Sequence, residues 1–475
     1  LGELKQLQAA AGRIAKTLAR LARDNTNLLI VTHNDADGLT SASLLAHALL
    51  RVGGRFTLRP VPELTPQLLA TLGEQKYDYY VLTDLGAGFT EELVKAFGDR
   101  WVVIDHHRPP NEEAEHTQVF NCWGYGFDGG IETCAATLTY LVVEQLIGDE
   151  GRPLAWLPVV AGVADRQDQG EGSSLLSLNR MVLEEAVKAK VVEVKRDLLF
   201  YGRASRPIHE AIAMSTTPFI PGLSGNRDAA LAALASTGLR LKEDGRWRTL
   251  TELNDEEKRK VIEAIVPHLT PTGEAERALA ALLGEVYVLK WGDPQSPLSD
   301  AREFGTLLNA CGKMGRPDLG VALCLGDLGR SLEEAERMLA QYRKALHTGL
   351  QSLMADPARR VELGHLVVLR GDGLVRAELV SGLASILSYN PNFEGKVILV
   401  RGLDQNGEVK FSARRTSGLP PKLNLGDVLR VAAKAVGGVG GGHSAAAGAK
   451  VPLRVADQFI EKVEAGLKES LEGEG

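Results

Sequence analysis

The sequence predicts an α/β protein in which a mostly parallel sheet, covered by helices on both faces, is followed by a helical insertion, a long connector helix and a second, smaller α/β domain. Three observations predict it. Short apolar runs alternate with helical patterns up to about residue 170, the texture then becomes helix-rich with proline breaks, and strand and helix patterns resume from residue 361.

Taken in order, residues 3–24 read as an amphipathic helix, with Leu4, Leu7, Ile14, Leu18 and Leu21 on one side and Lys5, Arg13, Lys16, Arg20 and Arg23 mostly on the other. Leu28 to Val31, Phe56 to Val61, Tyr79 to Leu82 and Trp101 to Ile104 read as strands, separated by helices near 39–51, 64–73 and 90–98. Strict alternation of this kind implies parallel strands joined by helical crossovers. Breaks at Pro207, Pro218, Pro221, Pro267 and Pro271 mark an insertion, all-helical or α+β, over 201–295. Residues 331–353 form the longest helical pattern, which Ser331 and Glu334 open as a capping box. The glycine run at 437–442 is expected between two helical stretches.

At 475 residues the chain is too long for one hydrophobic core. Its 54 Lys and Arg against 61 Asp and Glu, a net charge of −7, exclude a broadly basic protein that binds by mass neutralisation of phosphates. Residues 401–450 are locally basic, however, with eight Lys and Arg against three acids. Cys122, Cys134, Cys311 and Cys324 form no CxxC pair, which excludes zinc ribbons and disulfide frameworks and fits a reducing cytoplasm. No apolar stretch is long enough to span a membrane, so no membrane association is expected.

Three acidic or histidine-bearing segments stand directly after three of the strands: His33-Asn34-Asp35-Ala36-Asp37-Gly38, Asp84-Leu85-Gly86 and Asp105-His106-His107. Ligands of open α/β sheets bind at the carboxyl ends of the strands, so the three converge on one rim. Asp165 comes after the apolar pattern WLPVVAGVA. Five carboxylates beside three imidazoles repel one another unless cations are present, and an oxygen and imidazole donor set without thiolate suits Mn²⁺ or Mg²⁺. Asp and Gly after one strand usually make a turn or a helix cap; three such segments, each after its own strand, point to a site.

This ordered set resembles the motifs of the DHH phosphoesterase superfamily, and Gly440-Gly441-Gly442-His443 before SAAAGA resembles the signature of its DHHA1 domain. Leu308-Asn309-Ala310-Cys311-Gly312-Lys313 resembles a further motif of the RecJ branch. LFYGRASRPIHEAI, STTPFIPGLSG, REFGTLLNACGKMG and VKFSARR are similar to the archaeal RecJ-like, GINS-associated nucleases. The resemblance implies a DHH domain over 1–200, an insertion domain over 201–295, completion of the DHH domain and a connector helix over 296–355, and a DHHA1 substrate-binding domain over 356–475. It also implies two Mn²⁺ (or Mg²⁺), one held by His33, Asp35 and Asp84, the other by Asp37, Asp84, His106 and Asp165, with Asp105 orienting His106. His107, His443 and Arg414 are then expected at the scissile phosphate, and Asn309, Lys313, Arg414, Gly441, Gly442 and His443 along the substrate.

The implied function is a metal-dependent exonuclease releasing mononucleotides from single-stranded DNA or RNA in replication and repair, attached to GINS and through it to the MCM helicase. Two alternatives stand beside it: a replisome scaffold with a weak nuclease, and a phosphodiesterase of dinucleotides or short oligoribonucleotides. Two positions depart from the RecJ pattern. Asn121-Cys122-Trp123 replaces the usual Asn-Pro-His, and Lys313 replaces an arginine, keeping the charge but losing the planar fork. His47, His116, His209, His268, His347 and His365 have no acidic partners at ligand spacing and are expected to be structural or exposed.

Overall fold

The computed structural model describes residues 2–109, 117–215, 220–269, 279–280, 282–290, 294–404, 407–420 and 422–472. His116, Pro218 and Pro271 lie outside them. Two compact units emerge, one over 2–215 and 220–339, the other from residue 340 onward.

The first unit is built on a five-stranded parallel sheet of order β2-β1-β3-β4-β5, formed by β1 (Asn27–His33), β2 (Arg55–Val61), β3 (Tyr79–Thr83), β4 (Trp101–Asp105) and β5 (Val119–Asn121). The chain steps from β1 outward to β2 and then returns to the other side of β1 for β3, so the order reverses between β1 and β3. Leu28 to Val31 and Trp101 to Asp105 are buried throughout, as central parallel strands must be. Residues 119–121 are too short a run for periodicity to reveal, and β5 escapes the sequence reading.

Helices α1 (Gly2–Arg23), α2 (Ala36–Arg51), α3 (Pro66–Gly73) and α4 (Thr90–Phe97) stand where the periodicity places them. Helix α2 is buried on all sides from Ala36 to Ala46, which explains its lack of a polar stripe. Helices α5 (Ala135–Ile147) and α6 (Trp156–Ala164) pack against it, and α7 (Ser177–Lys188) packs behind them on α6 and α5.

The insertion is mostly helical, with α8 (Ile208–Ala213), α9 (Arg227–Ser236) and α10 (Asp255–Leu269), but it also holds a short hairpin of β7 (Lys242–Glu243) and β8 (Arg246–Trp247). It is stapled to the rest of the first unit. Strand β6 (Val192–Leu198) pairs antiparallel with β9 (Leu283–Leu289) on its far side, and Glu303 of α11 (Ala301–Lys313) accepts from the Ala204 backbone at 2.9 Å.

After α12 (Pro317–Cys324), the connector helix α13 (Arg330–Ala355) begins one residue before Ser331, whose hydroxyl donates to Asp327 instead of capping. The unit boundary falls within this helix, not at its end. Glu334 pairs with Arg316 of the first unit at 3.5 Å, whereas Tyr342 and Leu346 pack beside Gly382 of the second.

The second unit has a six-stranded mixed sheet of order β10-β11-β12-β13-β15-β14. Its strands are β10 (Arg360–Glu362), β11 (Leu366–Arg370), β12 (Val397–Leu403), β13 (Glu408–Arg415), β14 (Val439–Gly442) and β15 (Ala446–Pro452), with helices α14 (Val380–Leu387), α15 (Leu425–Ala435) and α16 (Ala456–Glu472). The glycine run therefore ends in an edge strand, and the segment after it is a strand where a helix is expected. Alanine propensity misleads here: residues 446–452 alternate buried and half-buried positions with period two and pair with β13, and this pairing overrides the local preference.

No described helix is long and apolar enough to cross a membrane.

One close approach ties the first unit together. A β-carbon at Gly312 on α11 would stand 1.7 Å from the Asn34 carbonyl oxygen. Gly312→Ala should therefore push α11 off the loop after β1 and destabilise the first unit by about 1–3 kcal/mol, read as a lower urea midpoint of the full chain.

Candidate metal centre

The loop between β1 and α2 places three side chains. Asp35 is the N-cap of α2; its Oδ1 accepts from the Gly38 backbone at 3.1 Å, which leaves Oδ2 at 2.8 Å from His33 Nδ1. The capping and ligand readings of this aspartate are thus compatible, one oxygen serving each. Asp37 points the other way. Its carboxylate accepts from the backbone N–H of Ala135 at 2.8 Å and of Ala136 at 2.7 Å. Cys134, the N-cap residue of α5, supplies no side-chain cap of its own, so an aspartate from α2 satisfies the first turn of α5 and sits at the positive end of its dipole.

Asp84 comes directly after β3 with φ of 60°, a left-handed conformation that Asp and Asn tolerate better than most residues. Its Oδ2 lies 3.4 Å from His33 Nδ1 and its Oδ1 lies 3.3 Å from His106 Nε2. The same His106 nitrogen is 3.5 Å from Asp37 and 3.7 Å from Asp165. Among the donor sets that result are His33 with Asp35 and Asp84, and Asp37 with His106 and Asp165; Asp84 with Asp105 and His107 lies beside them. Asp84 turns one oxygen to each of the first two.

Asp105 departs from the expected role. Its Oδ1 accepts from the backbone of His107 at 3.1 Å and lies 2.8 Å from His107 Nδ1, and its Oδ2 accepts from Ala87 at 2.9 Å. It orients His107, not His106. The acceptor behind His106 is the carbonyl of Gly129, 2.6 Å from Nδ1. A glycine is required there, because a β-carbon would stand 1.9 Å from the His106 carbonyl oxygen. Asn121 donates to the His107 carbonyl at 2.9 Å, and Trp123 Nε1 donates to the His106 carbonyl at 2.9 Å. The Asn-Cys-Trp departure thus supports the DHH backbone. Neither this support nor Gly129 carries a sequence signal beyond a glycine pair in a loop.

The remaining site residues are divided between the two units. Asn309 Oδ1 accepts from the Ala36 backbone at 2.9 Å, and Asn34 Nδ2 donates to the Gly312 carbonyl at 3.2 Å; the RecJ-type segment ties down the loop that carries Asp35 and Asp37. Burial would raise the Asp35 pKa, but His33, through its charge and its hydrogen bond, then the Gly38 backbone and last the charge of Lys313 bring it below the usual carboxylate range. In the second unit, Arg414 pairs with Ala446 across β13 and β15, and the backbone of His443 donates to Ala446, which brings Arg414, Gly441, Gly442 and His443 to one end of that sheet. Arg414 also donates to Ser385 at 2.9 Å.

The electrostatics are those of a cation site. Burial would lower the His33 pKa, but Asp35 and Asp84 outweigh it and push it up to about 10. Burial also opposes the charge on His106, yet Asp84, Asp165 and Asp37 drive its pKa well upward. Burial and then the neighbouring Asp84 raise Asp37 well above the usual carboxylate range, and burial, with Asp35 and Asp84 adding to it, raises Asp165 to about 6. Asp84 Oδ2 is buried and meets no hydrogen-bond partner among the described residues, an orphaned acceptor between two acid-rich sets. These donors fit divalent cations, which would replace the protons that the raised pKa values favour.

Comparison with known proteins bears on the whole chain. Residues 27–161 match the DHH family, N-terminal domain, residues 200–283 the DHH-CID domain and residues 367–469 the DHHA1 domain. An uncharacterized protein of Methanocaldococcus jannaschii is 28% identical over 450 residues, 93% of each chain. The single-stranded-DNA-specific exonuclease RecJ of Bacillus subtilis is 23% identical over 209 residues, 39% of this chain and 25% of RecJ. Among solved structures, RecJ in complex with Mn²⁺ from Thermus thermophilus aligns with a TM-score of 0.57 at 18% identity, over 96% of this chain and 54% of that one. CDC45 from Entamoeba histolytica aligns with a TM-score of 0.64 at 12% identity, over 97% and 99%. The chain therefore spans about half the length of the Thermus RecJ, and at these identities the likeness is one of fold.

Mn²⁺ added to metal-stripped protein should raise its thermal midpoint, since a ligand at about 100 times its Kd contributes about 2.7 kcal/mol. Asp84→Asn keeps the shape and the left-handed backbone but removes the shared charge, and should abolish most of that gain. Calorimetry of both proteins with and without chelator checks it.

Proposed function

We propose that this chain, which belongs to the DHH family and carries its DHH, DHH-CID and DHHA1 domains in that order, is a metal-dependent exonuclease that hydrolyses single-stranded DNA or RNA to mononucleotides. The observation that carries the reading is the position of Asp84, with one oxygen toward His33 and the other toward His106. A shared carboxylate between two donor sets is the arrangement that in-line phosphodiester hydrolysis uses.

His33, Asp35 and Asp84 would hold one divalent ion, Mn²⁺ or Mg²⁺, and Asp37, His106 and Asp165, with Asp84 beside them, the other. When bound, the pair supplies the positive charge that activates water and offsets charge on the phosphoryl oxygens. The α5 N-terminus keeps Asp37 in place, and Gly129 keeps His106 turned toward the acids. Asp105 grips Nδ1 of His107, whose ring is partly exposed, and directs its other face to the scissile phosphate, where an imidazolium stabilises the developing charge. Hydrolysis adds one water across a P–O bond and leaves a phosphate monoester on one product and a hydroxyl on the other.

Lys313, Arg414 and His443, with the backbone of Gly441 and Gly442, grip phosphates along the strand. Asn309 has its carbonyl engaged on Ala36, so only its amide N–H₂ is left to serve the substrate. The four free, buried cysteines fit a reducing cytoplasm, and GINS with the MCM helicase are the proposed partners in replication.

A scaffold role, which the fold likeness to CDC45 brings to mind, has no use for a buried cluster of mutually repelling acids. A dinucleotide phosphodiesterase would not need the phosphate-gripping residues beyond the ion site.

End-labelled DNA and RNA strands, digested with Mn²⁺ or Mg²⁺, decide among the three. Mononucleotides should accumulate, and Asp84→Asn should lose at least the roughly 10²–10³-fold that one electrostatic donor is worth. His107→Ala should lose about 10²-fold in rate while strand binding persists. Cleavage of dinucleotides alone would favour the small-substrate reading, and no turnover at saturating strand would favour the scaffold.

A further inference from the structure

A line of buried amides runs behind the second donor set, and no ligand assignment uses it. Gln167 is wholly buried. Its Nε2 donates to the Gly129 carbonyl at 2.9 Å and to Asp165 Oδ2 at 3.2 Å, while its Oε1 accepts from Asn179 Nδ2 at 2.6 Å. Asn179, also buried, accepts through Oδ1 from Thr137 Oγ1 at 2.6 Å and from the Cys134 backbone N–H at 3.3 Å.

Donor and acceptor chemistry leaves this line one direction. The Cys134 backbone N–H can only donate, so Asn179 must present its oxygen there and its N–H₂ to Gln167. Gln167 must then present its oxygen to Asn179 and its N–H₂ to the two acceptors, a carbonyl and a carboxylate. Both hydrogens of that N–H₂ are used. One steadies Asp165, and the other shares the Gly129 carbonyl with His106 Nδ1. The next two N–H groups of the same helix turn, Ala135 and Ala136, hold Asp37. All three members of the second donor set are therefore set from the first turn of α5, Asp37 directly and His106 and Asp165 through two amides.

We propose that Gln167 and Asn179 are positioning residues of the Asp37, His106 and Asp165 ion site, with Asn179 acting through the amide orientation of Gln167. The proposal rests on the reading of that cluster as a divalent-cation site.

Calorimetric titration of Mn²⁺ into the metal-stripped full chain tests it. The parent should bind two equivalents. Gln167→Met keeps the volume and removes both donors, and should weaken one equivalent by about 10–100-fold while the other is unchanged. Asn179→Leu touches neither Asp165 nor Gly129, yet should weaken the same equivalent, by about tenfold. Because Asn179 works through Gln167, the double variant should be no weaker than Gln167→Met alone.

Parent-like binding of both equivalents in Gln167→Met or in Asn179→Leu would overturn the proposal. So would equal weakening of both equivalents, which is the signature of a general structural role. If Gln167→Met does not fold, Asn179→Leu alone carries the same decision. A parent that binds no Mn²⁺ would instead overturn the reading of the cluster as an ion site.

Discussion

Five carboxylates and three imidazoles are gathered around the carboxyl ends of three adjacent parallel strands; Asp37, Asp84, Asp105 and His106 are buried and the other four partly exposed. Their mutual repulsion is the constraint to which the surrounding structure answers. Without added positive charge the cluster retains protons, which is why the histidine pKa values rise together with those of Asp37 and Asp165. The fold opposes the repulsion with fixed dipoles: the first turn of α5 on Asp37, the α2 backbone on Asp35, the Gly129 carbonyl on His106. These supports are buried in the fold, so the acids stay close enough to share the proposed cations.

Much of this was legible in the sequence, for identifiable reasons. Parallel central strands are apolar along their whole length, so Leu28 to Val31 and Trp101 to Ile104 stand out, and the residues just past the ends of such strands must lie on one rim. The clusters after β1, β3 and β4 could therefore be placed on one rim from position, whereas Asp165, which follows a helix, and the division into ligand sets came from the family resemblance. The partner of Asp105 could not be named from either. His106 and His107 are adjacent, and a motif does not say which of two neighbouring rings turns toward an acid; the choice falls to His107 because the Gly129 carbonyl already occupies Nδ1 of His106. Gln167 and Asn179 were invisible for a different reason. They are common polar residues, and their meaning lies in contacts made far back in the chain, Gln167 with Gly129 38 residues earlier and Asn179 with Cys134 45 residues earlier.

The RecJ-type segment also changes character. Read as a motif, Asn309 and Lys313 belong to the substrate. In the fold, Asn309 and Gly312 first hold the loop of Asp35 and Asp37, and the N-terminal end of the same helix receives the insertion through Glu303. Helix α11 is thus a brace with the loop of Asp35 and Asp37 at one end and the insertion at the other, so substitutions along it are expected to disturb the proposed ion site as well as any proposed contact with substrate.

The brace has a consequence for how the protein is made. Asn34 meets Gly312 across 278 residues, and Ala36 meets Asn309 across 273. At a synthesis rate of about 5–20 residues per second, roughly 14 to 55 s separate the emergence of the ion loop from that of the helix that secures it. All six candidate ligands leave the ribosome well before that helix does. A growing chain therefore carries the parts of the candidate site unfastened, and the site is completed only when most of the protein has been made.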